Sequence, residues 1–362
     1  MISRIPPVGQ RVPLGPLDES PAFPGSSVVM LNSGTAALGL ALRAALKVRP
    51  SAKQVILPAY GCPDLVAAAV FAGAMPVLVD CASDDPGYDL TLLAAACGER
   101  TAAVVAVNFL GIRENLSEIA GICDRSGACL IEDCAQWYPE EPSPVPLDAQ
   151  VISFGRGKPV NLLGGGALLL PDSGRLSRVV ERVEPSMPPL REWSIPLFNL
   201  LLRGYPYGLI SRLPGLRLGE TRYHPLTDVA ALDQHRRNLL NTAVSAWLSQ
   251  SRWREQELQQ AVSQSMAVQA LPAMATARAG RLLRYPVLLR DATRRDRLCG
   301  HLKSWGASPF YGMALPDIPG VAALVQAPGG FESARRFAAM LMTLPVHAGV
   351  DAPAIEAMAR LL

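Results

Sequence analysis

A lysine lies among glycines in the stretch Gln150–Leu170, QVISFGRGKPVNLLGGGALLL. Lys158 is one of only four lysines, with Lys47, Lys53 and Lys303, in a chain whose Lys and Arg total 34. That scarcity makes its placement informative. Arginine stays protonated and cannot serve as an amine nucleophile, whereas a partly buried lysine can lose its proton and form a Schiff base with a carbonyl. The surrounding glycines let the backbone approach a flat ligand. The plainer reading of this stretch alone is a glycine-rich β-hairpin with a solvated lysine. Asp133 closes the apolar run Cys129–Asp133, CLIED. A carboxylate there is costly to bury without a partner. A third group, Asn32-Ser33-Gly34-Thr35, precedes the alanine-rich run AALGLALRAALKV. Ser33 or Thr35 caps that helix, whose N–H groups, dipole and two neighbouring hydroxyls can hold a phosphate. The plainer readings are an ordinary cap at 33–35 and a helix cap or arginine pair at Asp133.

Taken together, the three are the parts of a site for pyridoxal 5'-phosphate (PLP). They supply an amine for the aldehyde, a carboxylate for the protonated ring nitrogen and a helix N-terminus for the phosphate. All three fall where a parallel sheet would put them. Apolar runs at Ser27–Leu31, Gln54–Pro58, Pro76–Asp80, Ala102–Val107, Cys129–Asp133, Val151–Phe154 and Ala167–Leu170 read as strands. Helical stretches at 36–48, Asp64–Ala72, Leu90–Cys97 and Leu116–Arg125 alternate with the first five, Pro63 suiting the first turn of the second helix. Continuous rather than alternating apolar strands mark a mostly parallel sheet sandwiched by helices, with ligands beyond the strands' carboxyl ends. Asn32, Tyr60, Asn108, Asp133 and Phe154 all fall at such ends.

Beyond the strands the texture changes. Trp193–Leu216 is apolar but broken by Arg203, Arg212, Pro196, Pro206 and Pro214, too interrupted to span a bilayer. It reads as helices packed at a domain or subunit interface, with a membrane-surface role as the lesser alternative. Asp228–Gln250 reads as one long helix and a second continues through Val262. A strand at Arg281–Leu289, helices at Asp291–Trp305, Phe331–Met342 and Ala352–Leu362, and a strand-like link at 344–347 complete a smaller α+β domain. We therefore expect a large domain over 1–245, with an N-terminal arm and an insertion at about 185–218, and a small domain over 246–362. At 362 residues the length suits two domains. The net charge of +3, with no basic run, argues against nucleic acid. Seven scattered cysteines without a CxxC pair fit a reducing cytoplasm, and the opening MISRIPPVGQ has no apolar secretion-type run, so a cytoplasmic location is expected. Four histidines, none at metal-ligand spacing, point away from zinc.

The order of these motifs resembles the DegT/StrS family of PLP-dependent sugar aminotransferases, of PLP fold type I. The resemblance is carried by NSGTAALGLAL at 32–42, VILPAY at 55–60, GAMPVLVD at 73–80, IEDCAQ at 131–136, SFGRGK at 153–158, GGGALL at 164–169 and LPVHAGV at 344–350. It implies that Lys158 is the Schiff-base lysine and proton shuttle and that Asp133 partners the pyridine nitrogen. Gln136 would lie beside the ring and its hydroxyl, Ser33, Gly34 and Thr35 would form the phosphate turn, and Ser153 would add a phosphate hydroxyl. It also implies a homodimer with shared sites. The chain departs from the family at several places. Cys62, two residues after Tyr60, stands where an aromatic residue usually covers the ring, so either Tyr60 takes that role or a smaller group does. Asn108 replaces a frequent histidine, and Leu163-Gly164-Gly165-Gly166 lacks the family's acid. Arg222-Tyr223-His224 stands where an Asn-Tyr-Arg segment reaches the neighbouring subunit's phosphate, so Arg222 would bind it as a charged fork. The implied activity is amino transfer from an amino acid, glutamate by expectation, to a ketone on a nucleotide-linked keto-deoxysugar. The alternatives are another PLP reaction on an amino acid, such as decarboxylation or condensation, and a non-catalytic ligand-binding relative.

Overall fold

Apolar runs of five to seven residues, the first four each followed by a helix, leave the chain few ways to bury both faces of its strands. In the computed structural model, which describes residues 5–14, 22–23, 26–172, 174–184, 186–191, 193–210 and 221–362, those runs form one seven-stranded sheet. Its strands are β1 (Ser27–Leu31), β2 (Gln54–Pro58), β3 (Met75–Val79), β4 (Thr101–Val107), β5 (Cys129–Asp133), β6 (Ala149–Ser153) and β7 (Gly166–Leu170). They lie in the order β1-β7-β6-β5-β4-β2-β3. Neighbours from β3 to β6 pair in parallel, while β7 runs antiparallel to both β6 and β1. β1 therefore points the same way as the other five. The reversal comes from the short β6–β7 hairpin, 154–165, which carries Lys158.

Helices cover both faces. α1 (Gly34–Val48) and α2 (Asp64–Ala72) pack with Leu57, Val105, Ile131 and Val151 on one face. On the other, α3 (Leu90–Ala96) and α4 (Leu116–Ser126) pack with Ile56, Val104 and Leu130. Two short helices, α5 (Ser194–Leu201) and α6 (Gly204–Ile210), follow β7. Their side chains Leu197, Leu200, Tyr205 and Leu209, with Trp193 before them, are exposed, while Ile195 is buried. Residues 211–220, including Arg212, Pro214 and Leu216 of the expected insertion, lie outside the described residues, as do parts of the expected N-terminal arm. Among the described residues no helix is long and apolar enough to cross a membrane.

α7 (Gln234–Leu248) begins six residues later than the sequence suggests, because Asp233 caps it by accepting from Arg236 N at 3.2 Å. It packs Leu240, Val244 and Trp247 with Ile152, Phe154 and Leu162, and the expected boundary at 245/246 falls inside it. α8 (Trp253–Gln264), β8 (Val268–Gln269), β9 (Arg284–Leu289), α9 (Ala292–Leu302), α10 (Glu332–Met340), β10 (Leu341–Pro345) and α11 (Ala352–Leu361) complete the chain. β8, β9 and β10 form an antiparallel sheet in the order β10-β9-β8, against which α8, α9 and α10 pack. The helix expected through Met342 stops at Met340, because Leu341–Pro345 pairs with β9 instead.

Candidate active site

Strands β1, β2, β4, β5 and β6 present their carboxyl ends to one edge, and a cleft opens there holding about 510 Å³ of space, part of it open to solvent. Each strand contributes through the residues at or just past its end. After β1, Gly34 and Thr35 bring the N-terminus of α1. After β2 come Cys62 and Asp64. β4 ends on Val107, β5 on Asp133 with Ala135 and Gln136 beyond it, and β6 on Ser153 with Lys158 in the hairpin.

The α1 N-terminus lies hard against β6 and β7. Ser33 caps the helix, its Oγ accepting from Ala36 N at 3.0 Å. A Cβ on Gly34 would come within 2.7 Å of Ser153 Cβ, and one on Gly166 within 2.5 Å of Gly34 N. Glycine at both positions is thus the condition for this approach. The remaining first-turn N–H groups have no partner within the helix, and Gly34 and Thr35 border the cleft, an arrangement suited to anions. Thr35 Oγ1 donates to Asp64 Oδ2 at 3.2 Å, which ties α1 to the start of α2.

Asp133 is buried, and its Oδ1 accepts from Ala135 N at 2.8 Å. Among the described residues Oδ2 accepts no hydrogen bond. Burial pushes this carboxyl above the ordinary aspartate range, while Ala135 N–H and the Lys158 charge pull it back. Among the described residues no arginine pairs with it. The arginine went to its neighbour: Glu132, on the opposite face of β5, is fully buried and held by Arg113 at 2.9 Å, Asn108 Nδ2 at 2.9 Å and Gln150 Nε2 at 2.6 Å. Lys158 is half-buried; its backbone N–H donates to Gly155 O at 3.2 Å, and among the described residues its Nζ forms no hydrogen bond or ion pair. Cys62, whose thiol burial raises to about 12, is held neutral. Gln136 spends Oε1 on Leu110 N at 3.0 Å and gives Nε2 to the Tyr311 hydroxyl at 2.7 Å.

Lys158, Asp133, Gln136, Ser153, Cys62, Gly34 and Thr35 therefore share one cleft, with Ser33 capping beneath it. Tyr60, Asn108 and Arg222 do not line it. Tyr60 is buried in an aromatic cluster with Phe109, Tyr311 and Phe337, and its hydroxyl donates to Tyr311 O at 3.2 Å, so its ring cannot turn to the cleft. Asn108 is fully committed, to Glu132 on one side and Glu114 N at 2.9 Å on the other. Arg222 lies on a separate open cleft with Phe310 and Met313. Two site residues escape a reading of the sequence. Asp64 looks like an ordinary first-turn acid of α2. Tyr311 comes from 175 positions away, with no local pattern to announce it.

Residues 24–183 match the sequence model of the DegT/DnrJ/EryC1/StrS aminotransferase family. A UDP-N-acetyl-3-dehydro-alpha-D-glucosamine 3-aminotransferase of Acidithiobacillus ferrooxidans is 32% identical over 152 residues, covering 40% of this chain and 40% of that protein. A dTDP-3-amino-3,4,6-trideoxy-alpha-D-glucose transaminase of Micromonospora megalomicea is 29% identical over 159 residues, covering 43% and 42%. The matched segments thus span less than half of these curated relatives. Among solved structures, DesV of S. venezuelae superposes with a TM-score of 0.70 at 23% identity, covering 92% of this chain and 83% of that one. An aminotransferase of the same family from Brucella abortus gives 0.67 at 19% identity, covering 92% and 84%. Identity this low shows the fold alone. That fold is the expected α/β architecture of PLP fold type I, with its mostly parallel sheet and helices on both faces.

Proposed function

We propose that this chain is a PLP-dependent aminotransferase that moves an amino group from an amino acid, glutamate in our reading, to a ketone on a nucleotide-linked keto-deoxysugar. One observation carries the reading: an unpaired lysine, a buried carboxylate without a cation and a helix N-terminus converge on one cleft at the carboxyl edge of the sheet. The residues fit PLP. Asp133 Oδ2 lacks a donor, and a protonated ring nitrogen would supply one along with a charge. Gly34 and Thr35 bring the α1 N-terminus, which lacks side-chain bulk at Gly34, to the cleft lining where a phosphate would bind. Cys62 presents a small neutral surface where a ring face would lie.

Bound PLP supplies the electron sink that lets an amino acid lose its α-proton and release its amino group. The chain's own residues do the rest. Lys158 Nζ, free of competing partners, anchors the aldehyde and carries the proton between carbon atoms. Asp133 holds a proton at the ring nitrogen. Ser33, Gly34, Thr35 and Ser153 bind phosphate. Gln136, fixed by Leu110 and Tyr311, would hold the cofactor with its remaining N–H. In this reading the protein works in the cytoplasm as a homodimer, and Arg222 serves the partner subunit's site. The sugar substrate class is supported by the names of the relatives, two of which are transaminases of nucleotide-linked sugars.

The test is the absorption spectrum of the PLP-loaded protein before and after L-glutamate, with Lys158→Ala alongside. A visible band that glutamate bleaches, absent from the variant, is expected. A protein that acquires no such band on incubation with PLP would overturn the reading.

A further inference from the structure

The described N-terminal arm runs across the back of the lysine hairpin and is anchored at every few residues. Ile5 N donates to Ser304 O at 3.2 Å. Pro6 O meets His347 Nε2 at 3.0 Å, and Pro7 O accepts from Arg284. Arg284 is almost wholly buried without a carboxylate, and its other donors go to Thr343, Gly306 and Ser308. A Cβ on Gly9 would strike the His347 ring at 2.2 Å. The arm is thus seated in the small domain. Its next residues turn to the hairpin. Val8 packs on Gly157, the residue before Lys158, where a Cβ would lie 3.2 Å from Val8 Cγ1 at a φ of +74°. Gln10 O accepts from Asn161 Nδ2 at 2.7 Å. Beyond that point Asn199 holds both backbone groups of Val12, at 3.0 and 2.8 Å.

Asn161 is the joint. It is buried, and its Oδ1 accepts from Leu163 N at 2.9 Å, where Leu163 takes a φ of +61°. One side-chain amide therefore fixes the turn of the hairpin and fastens it to the arm. No described arm residue lines the cleft, so residues 5–12 reach Lys158 through the hairpin.

We propose that residues 5–12 are a strap that positions Lys158, with Asn161 and Val8 as its positioning contacts, so that seating of the small domain and setting of the lysine are one event. The consequence for chemistry rests on Lys158 being the amine that takes up PLP. The tie itself does not. A glycine-rich loop left alone samples many backbone states, and a misplaced amine loses reactivity steeply.

The test uses the full chain in two measurements. Amide hydrogen exchange on cofactor-free protein reads the peptides covering 5–14 and 154–165, with β2 and β5 as folding controls. Borohydride trapping of PLP reads Lys158 against Lys47, Lys53 and Lys303. In Asn161→Ala, exchange should rise about tenfold in both peptides together, and trapping at Lys158 should fall about tenfold with the other lysines unchanged. Asn161→Asp keeps the acceptor for Leu163 N but cannot donate to Gln10 O, so it should behave like Asn161→Ala. Val8→Gly, which leaves the hairpin's own bonds intact, should shift both readouts in the same direction and serves if the Asn161 variants fail to fold. Recovery of wild-type trapping in Asn161→Asp, or exchange that rises in the hairpin while the arm stays protected, would overturn the strap. Absence of trapping at Lys158 in the wild type would instead count against the cofactor reading and leave the exchange result to judge the tie.

Discussion

Asp133→Asn separates the cost of a buried charge from its use. In the free protein the change should matter little. The amide oxygen keeps the Ala135 N–H at 2.8 Å, and exchanging a charge-assisted bond for a neutral one costs about 1 kcal/mol. Relief of the burial that raises this carboxyl offsets that loss. The pH dependence has a definite sign. A carboxyl raised in the folded state gives stability that is present below its unfolded pKa of about 3.9 and lost as pH rises through the folded value. The wild type should therefore lose ground to Asp133→Asn from about pH 4 upward, by ~1.4 kcal/mol for each unit of separation. With PLP the order reverses. The asparagine NH₂ would meet a ring N–H donor with a donor, removing a charge-assisted bond of about 1.5–3 kcal/mol. Affinity should drop about 10- to 150-fold. Urea unfolding at several pH values and a fluorescence titration of cofactor-free protein with PLP measure the two effects. An unchanged PLP affinity in a folded variant would refute the assignment of Asp133. A loss of more than about 3 kcal/mol without PLP would show instead that Asp133 is structural.

Arg113→Ala should destabilise by about 3–4 kcal/mol in urea unfolding, since it leaves Glu132 fully buried with only the Asn108 and Gln150 amides. A double variant with Glu132→Gln should recover part of that loss. Gly34→Val should lower thermal stability by about 1–3 kcal/mol and weaken PLP binding together, because its Cβ meets Ser153 Cβ at 2.7 Å. His347, which burial lowers to about 4, stabilises the fold while neutral, and that contribution is lost as pH falls from about 6.5 to about 4. His347→Gln should therefore flatten the acid limb of the stability profile by on the order of 3 kcal/mol, measured as the difference from wild type.

The sheet was legible because its signals are local. β1, β2 and β5 and helix α2 begin and end where their apolar runs and flanking turn residues say. Lys158, Asp133 and the 33–35 turn were legible for the same reason, since each lies at a strand end and the parallel topology gathers strand ends. The features hidden from the sequence depend on distant partners. Leu341–Pro345 looks like the end of a helix until β9 claims its backbone. Asp228–Leu232 has helical texture, yet Leu232 N bonds to Met30 O and Asp233 caps α7 only after that segment has ended. Tyr60 stands at a strand end like the site residues, but Tyr311, 251 positions on, draws its hydroxyl away from the cleft.

The antiparallel strand β7 also orders assembly in time. The β6–β7 hairpin joins positions close in sequence, Ser153 with Gly166 at the near end, and needs little loop closure. β1 must instead find β7 across most of the first half of the chain, Ser27 against Leu170. Contacts at such separation form slowly and late. Lysine and hydroxyl can thus be in place on a nascent hairpin while the 33–35 turn still hangs from an unpaired β1. A ligand that needs all three binds only after the edge strand has docked. Cofactor uptake during refolding should therefore report that last docking step, and it should lag the signals of the central strands.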